Sequence, residues 1–383
     1  MNWIEKMIAE QCPNGVKNVK LNTLLDYEQP SPYIVKSTEY SDEYETPVLT
    51  AGASFCLGYT NETDGIYKAD EENPVIIFDD FTTSFHWVEF DFKVKSSAMK
   101  MLRPKKNNVS FRYIYFCMSC IDYVPAEHSR QWIGRYSNFE IPLPPLSIQE
   151  EIVSVLDKFS ELIEKTDEEI ALRQKQYEYY REKLLTFEKG ECEKSILKEI
   201  SQFVSVGIAT SATHAYTDKG IIMFRNQNIK ENKLDDSDLI YITEEYESKF
   251  INKRLRENDI LVTRTGYPGI ACVVPKIYEN CQTFTTLIVR LKKQESLFAK
   301  YICYFINSKY GKKFVEQNKV GAAQANIGAT ELAKMPILIP SLKKLKSIVE
   351  TLDKFETLIS KLKEERELRQ KQYEYYREKL LTF

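Results

Sequence analysis

The sequence predicts an α+β protein made of two similar mixed α/β modules. They are separated by two long helices that pair as a coiled coil, and the whole is pseudo-two-fold symmetric. Three observations lead there. The 16 residues LRQKQYEYYREKLLTF run from Leu172 to Phe187 and again from Leu368 to Phe383, an offset of 196 in a chain of 383 residues. Each copy closes a stretch with no Gly or Pro and many Glu, Lys, Arg, Gln and Leu, a composition that favours helix. Between those stretches lie runs with strand patterning, punctuated by Gly, Asn, Asp and Pro turns. The boundaries expected are a first module over residues 1–145, a first long helix over 146–190, a second module over 191–340 and a second long helix over 341–383.

The repeat reaches back beyond the shared 16 residues. Glu151–Phe187 and Ser347–Phe383 agree at 27 of 37 aligned positions, and the differences precede the identical string. In the first copy Ile152, Leu156, Phe159, Ile163, Tyr177, Tyr180 and Leu184 recur mostly at alternating steps of four and three. Ile348, Leu352, Phe355, Ile359, Tyr373, Tyr376 and Leu380 repeat this in the second. That is the seam of a coiled coil, broken at Arg173 in one copy and at Arg366 and Arg369 in the other. Pro144 and Pro145 precede the first helix and Pro340 the second, and Ser147 with Glu150 reads as a capping box. About 40 residues at 1.5 Å each give a helix of roughly 60 Å, whose single apolar stripe needs a partner. The natural partner is the other copy.

The first module carries the strand-like runs PVLTAG, NPVIIFDD and FRYIYF. The second carries IIMFRNQNI, NDILVTRTG, IACVVP and TLIVRL, then a helical stretch from about Ser296 to Phe314. Faint echoes suggest one shared fold. NPVIIF matches NDILVT, Phe81-Thr82-Thr83 recurs as Phe284-Thr285-Thr286, Arg112-Tyr113-Ile114 parallels Lys300-Tyr301-Ile302, and Ile133-Gly134 parallels Ile327-Gly328. Near-identical helices beside diverged modules mean that the helices answer to one requirement and the modules to two.

Composition narrows the class. Hydrophobic residues make up 43% of the chain, ordinary for a folded domain, and no run approaches the ~20 apolar residues of a membrane span. The N-terminal MNWIEKMIAEQCPNG lacks the apolar core of a signal peptide, so a cytoplasmic location is expected. Cys117 and Cys120 form the one CxxC, with no second pair beside it, and no metal is expected. Net charge is −3, but charge is unevenly spread. Leu21–Asp91 holds 15 acidic residues against Lys36 and Lys68, whereas Phe92–Ile121 holds seven basic residues and no acid. Such a reversal suits a phosphate-facing surface.

The strings of a DNA-modifying enzyme are missing. There is no Asn/Asp-Pro-Pro-aromatic loop, no Pro-Cys pair, no Walker loop, no HExxH and no zinc-deaminase set. Asp79-Asp80 lacks a following Glu-x-Lys, so no catalytic residue is assigned.

These residues resemble a known family. MNWIEKMIAEQCPNGVKNVKL, PVLTAGASFCLGYTNETDGIY, FDDFTTSFHWVEFDFKVKSSAM, FEIPLPPLSIQEEIVSVLDKF, RENDILVTRTGYPGIACVVP, GAAQANIGATELAKMPILIP and the repeated RQKQYEYYREKLLTF are similar to the specificity subunits of type I restriction–modification systems. The resemblance covers nearly the whole chain. It implies that each module is a target recognition domain for one half of a bipartite double-stranded DNA sequence. It implies too that the helices form an antiparallel coiled coil, set the spacer and dock two methyltransferase subunits, and that a restriction and motor subunit completes the complex. S-adenosylmethionine and ATP with Mg would sit in those partners, and this chain would bind no cofactor. A coiled-coil scaffold joining two protein-binding modules, without DNA contact, is the alternative.

Base edges are read by Arg, Lys, Asn, Gln, Ser and Thr, with further Lys and Arg on phosphates. The first-module candidates are Thr82, Thr83 and Ser84 after a buried strand, Lys93, Lys95, Lys100, Arg103, Lys105 and Lys106 for phosphates, and Arg130 with Gln131. Those of the second are Arg225, Asn226 and Gln227, then Arg264, Thr265 and Tyr267 at a Gly-containing turn, and Lys319, Gln324 and Asn326. Tyr179 and Tyr375 fall off the seam at equivalent places, which suits two equivalent protein partners.

Overall fold

The computed structural model describes residues 2–52, 54–105, 108–321 and 325–383. The chain divides into two compact units that do not follow chain order. Unit 1 comprises residues 1–167 and 364–383, and unit 2 comprises residues 168–363. The boundaries at 168 and 364 are 196 residues apart, the offset of the sequence repeat.

Unit 1 begins with α1 (Asn2–Gln11), β1 (Asn18–Lys20), α2 (Leu21–Leu24) and β2 (Leu25–Glu28). It continues through β3 (Thr46–Leu49), β4 (Cys56–Thr60), β5 (Val75–Asp79), β6 (Phe85–Val88), β7 (Lys93–Val94) and β8 (Met99–Pro104). Then come α3 (Phe111–Met118), β9 (Glu140–Pro142) and the start of the long helix α4 (Leu146–Leu184). Strands β2-β8-β5-β6 form one sheet and β4-β3-β7 a second, while β1 pairs with β9. β5 explains the layering. Its residues Val75, Ile76, Ile77 and Phe78 are all fully buried, and successive side chains point to opposite faces. Ile76 and Phe78 join the core that includes α3 and the long-helix residues Ile152, Leu156, Leu380 and Leu381. Val75 and Ile77 join a second core between the two sheets.

Unit 2 repeats this plan. After the second part of α4 come β10 (Cys192–Ile196), α5 (Leu197–Ile200) and β11 (Ser201–Val206). Next are β12 (Tyr216–Thr217), β13 (Ile221–Phe224), the hairpin β14 (Ile229–Lys230) and β15 (Lys233–Leu234), β16 (Ile240–Ile242) and α6 (Glu244–Glu247). β17 (Ile260–Val262), β18 (Ala271–Val273), β19 (Gln282–Thr283) and β20 (Leu287–Leu291) complete the sheets. The helices α7 (Ser296–Asn307), α8 (Lys309–Asn318) and α9 (Ala329–Ala333), strand β21 (Pro336–Pro340) and α10 (Leu342–Leu381) follow. The sheet β11-β20-β17-β18 has the order of β2-β8-β5-β6. β13 runs parallel to β19 as β3 runs parallel to β7, and β10 pairs with β21 as β1 pairs with β9. The equivalence extends to side chains. Arg112 Nε donates to Asp157 Oδ1 at 2.8 Å, and Lys300 Nζ to Asp353 Oδ2 at 2.6 Å. The hydroxyls of Tyr113 and Tyr301 donate to the carbonyls of Pro142 and Leu338.

In each unit an α4 segment lies antiparallel to an α10 segment. In unit 1 the Phe159 and Tyr376 rings stack at 5.3 Å, and Arg369 donates to Leu162 O and to Thr166. In unit 2 the Tyr180 and Phe355 rings stack at 5.4 Å. The expected seam residues therefore split between two jobs. Ile152, Leu156, Ile348, Leu352 and Leu380 are buried in the module cores, whereas Phe159 and Tyr376, Tyr180 and Phe355 pair helix to helix. Ile163, Tyr177, Leu184, Ile359 and Tyr373 pack along the same stripes.

Two local expectations are corrected. The Ser147–Glu150 capping box does not form, because α4 starts at Leu146 and Pro145 O already accepts from Ile148 N. Ser147 Oγ instead bonds Gln11 Oε1 at 3.1 Å. The two Phe-Thr-Thr strings are also not equivalent. Phe81–Thr83 lies between β5 and β6, whereas Phe284–Thr286 lies between β19 and β20.

Candidate nucleic-acid interface

In each unit a loop leaves the central buried strand, after β5 in unit 1 and after β17 in unit 2. Both are tied to the segment leading towards the next long helix. Gln131 N donates to Asp80 O at 2.8 Å, and Ile327 N donates to Arg264 O at 3.0 Å. Residues 131 and 327 are again 196 apart, so Asp80 and Arg264 hold the same place in the fold.

The loop of unit 1 is closed on itself. Asp79 Oδ1 accepts from Phe81 N at 2.8 Å and Thr82 N at 2.9 Å, which turns the chain and places Thr83 at φ 62°. Asp80 is buried, accepts from Gln131 N and Trp132 N, and lies 3.4 Å from Lys100 Nζ and 3.2 Å from Arg130 Nη1. Phe81 stacks on His128 at 4.5 Å with Arg130 above its ring. The groups left to a ligand are Thr82, which is exposed, Ser84 beside it at 3.0 Å, and the half-exposed Arg130.

Several expected contacts of this module serve the fold instead. Lys93 is 1% exposed, donates to Asp64 O at 2.6 Å and Gly65 O at 3.1 Å, and pairs with Glu62. Lys100 is also 1% exposed; burial lowers its pKa, and it bonds Gln29 Oε1 at 2.8 Å. Arg103 donates to Tyr67 OH and Lys68 O. Gln131 is fully buried and bonded to Ser129 and Tyr123, and Thr83 is buried. Two members of the basic run, Lys93 and Lys100, therefore lie inside the module, held by carbonyl and side-chain partners from other segments. Lys105, though exposed, reaches Asn22 O and Asp26, and Lys95 lies against Tyr40. Lys106 falls outside the described residues.

The second-module candidates converge far better. Asn226 joins three loops. Its Oδ1 accepts from Arg264 N at 2.9 Å, and its Nδ2 donates to Thr265 Oγ1 at 3.1 Å and Thr285 Oγ1 at 3.4 Å. Thr265 pairs with Asn326 in an isolated bridge. Arg225 and Gln227 both donate to Asp238, at 2.8 and 2.6 Å. Tyr267 is 86% exposed. Lys319 stands apart, paired with Glu316 at 2.7 Å, and Gln324 lies outside the described residues. Sequence reading missed Asp238 and Thr285. Thr285 has φ 56°, which a Thr in a polar string gives no sign of.

Among the described residues no group of His, Cys, Asp and Glu could hold a metal. Cys117 of the CxxC is buried in α3, where burial pushes its thiol up to about 12. Among the described residues no helix is long and apolar enough to cross a membrane.

Two units with one framework and different loops define a tandem recognition protein. Residues 13–172 and 189–370 match the type I restriction modification DNA specificity domain, and the chain belongs to that family. It is 38% identical over 405 residues to the type I restriction enzyme EcoR124I/EcoR124II specificity subunit of Escherichia coli, covering 100% of this chain and 97% of that one. The type I restriction enzyme MjaVIII specificity subunit of Methanocaldococcus jannaschii is 23% identical over 376 residues, covering 92% and 86% of the two chains. The S subunit of a type I restriction–modification system from M. genitalium shares the fold at a TM-score of 0.61 and 11% identity, over 97% of each chain. Membership of a DNA specificity family disfavours the scaffold without DNA contact.

Proposed function

We propose that this chain is the non-catalytic, sequence-reading subunit of a type I restriction–modification complex, working in the cytoplasm. Each target recognition domain binds one half of a bipartite DNA sequence through the loops that leave its central strands. The long helices fix the number of unspecified base pairs between the half-sites. Two methyltransferase subunits dock on the helices, and restriction and motor subunits join them. S-adenosylmethionine and ATP with Mg belong to those partners, and this chain binds no cofactor. One observation carries the reading: a single framework occurs twice with near-identical helices, while the loops at matching places carry opposite chemistry, Asp80 in one and Arg264 in the other. The docking face is supported by Tyr179 and Tyr375, which are 60% and 59% exposed at equivalent places.

The test uses the chain coexpressed with its methyltransferase subunits. The complex should retain one preferred DNA sequence, lose affinity as salt rises, and methylate adenine in a split motif. Inserting a few residues into both long helices should change the spacer and leave both half-sites intact. A complex that holds no DNA at low salt would overturn the reading.

A further inference from the structure

We infer that Arg264 is the base-reading side chain of the second module and that it recognises a guanine in the half-site bound there. The inference rests on the DNA-binding reading above and deepens it.

The first support is a concentration of unmet polar atoms. Buried polar atoms normally have hydrogen-bond partners, so each exception needs a cause. The described residues leave five buried side-chain atoms without one, and three of them, Arg225 Nε, Arg264 Nε and Asn326 Oδ1, fall in this one loop cluster. Arg225 is nonetheless held through Nη2 by Asp238. Among the described residues Arg264 has no ion pair and no side-chain hydrogen bond.

The second support is the frame around it. Thr263 Oγ1 accepts from Ile270 N at 2.9 Å and donates to Tyr267 O at 2.7 Å, closing the turn. Arg264 N is fixed by Asn226, and Arg264 O by Ile327 N. Gly266, at φ +78°, has open space where a Cβ would stand, so the backbone here can come close to a ligand. The backbone is pinned while the guanidinium is left unspent. A planar fork of donors left without partners on a pinned backbone matches the O6 and N7 acceptors of guanine in the major groove.

The third support is the contrast with unit 1. The equivalent residue, Asp80, is buried and neutralised by Lys100 and Arg130. Asp80 itself has no donors to offer guanine, so the device at this position of the fold belongs to the second module.

The test is the modified-adenine motif of host DNA carrying the chain and its methyltransferase subunits, with wild type, Arg264→Gln and Arg264→Lys compared. Arg264→Gln should change one position of one half-site from guanine towards adenine, since a Gln amide matches adenine N6 and N7. Preference for guanine there should fall roughly 10- to 100-fold. Arg264→Lys should weaken the same position without redirecting it. The first module's half-site and the thermal midpoint should stay as in wild type. An unchanged motif, relaxation spread over both half-sites, or a large drop in the midpoint of both variants would overturn the assignment. A wild-type complex that methylates with no sequence preference would instead overturn the broader reading.

Discussion

Tyr177 and Tyr373 stand at the same place in an identical 16-residue string, yet they meet different chemistry. In unit 2, Tyr177 OH accepts from Asn232 Nδ2 at 2.8 Å and donates to Glu356 Oε1 at 3.3 Å. Tyr304 OH lies 2.7 Å from Asp353 Oδ1 and 2.9 Å from Glu356 Oε2. One hydroxyl proton cannot serve two carboxylates fully, and burial pushes the Glu356 carboxyl up to about 7. Arg181, four residues on from Tyr177, is buried and paired with Glu231 and Glu182. In unit 1, Tyr373 packs against the module core, and Arg377 lies over the Tyr373 ring without an ion pair among the described residues. Arg112 lies over the rings of Trp87, Tyr115 and Phe116, and Arg377 Nε has no partner. Glu356 corresponds to Ser160 at the offset of 196, so the buried carboxyl is absent from unit 1. Tyr and Arg tolerate both settings because each joins an apolar body to a polar tip. Identity of sequence here means identity of shape, not of electrostatics.

Seven substitutions, arranged in four tests, sharpen or break that contrast. The largest effect should come from Leu185→Ala, which removes a fully buried side chain of the unit 2 core and costs about 3 kcal/mol in urea unfolding. Leu381→Ala, at 6% exposure in unit 1, should cost about 2 kcal/mol. A reversed order would mean that unit 1 relies more on the shared string.

Next comes Glu356→Gln. A carboxyl whose folded pKa is raised binds its proton more tightly in the native state, so stability is greatest at low pH. That stability is lost as pH rises from the unfolded value near 4.5 through about 7. The variant should gain on the order of 2 kcal/mol relative to wild type at pH 8 and none at pH 4. Parallel pH profiles of the two proteins would rule out a buried, ionising Glu356.

Arg181→Met should cost about 1–2 kcal/mol, because it strips a charged hydrogen-bond partner from Glu231 and Glu182. Arg377→Met, which breaks no ion pair among the described residues, should change stability by less than about 0.5 kcal/mol. Equal losses would show that the arginine matters through its stem and not its pairing. The smallest effect on folding should be that of Tyr179→Ala and Tyr375→Ala, each within about 0.5 kcal/mol. In pull-down with methyltransferase subunits the two should weaken docking alike, and a one-sided loss would make the docking faces unequal.

The repeat and the strand runs made the plan legible from the sequence, since buried strands such as VIIF and helices free of Gly and Pro declare themselves locally. The phosphate contacts were not legible. Lys93 and Lys100 carry the same charge as Lys105, and only partners distant in sequence, Asp64, Gly65 and Glu62 for one and Gln29 and Asp80 for the other, decide that they are buried. The Phe-Thr-Thr echo misled because three residues can recur without topological equivalence. Arg264 was legible as a turn residue; its unpartnered side chain was not, because the segments that pin its backbone, at Asn226 and Ile327, lie 38 and 63 residues away.

The discontinuity of unit 1 has a consequence for the order of events during synthesis. Leu380 and Leu381 belong to a core whose other members lie between Ile4 and Leu156. At typical elongation rates the ribosome needs on the order of 10–40 s to travel from residue 167 to residue 383. For that interval the apolar face awaiting Leu380 stays uncovered, whereas unit 2 is a single continuous stretch that can close as it emerges. The half that is made first is finished last.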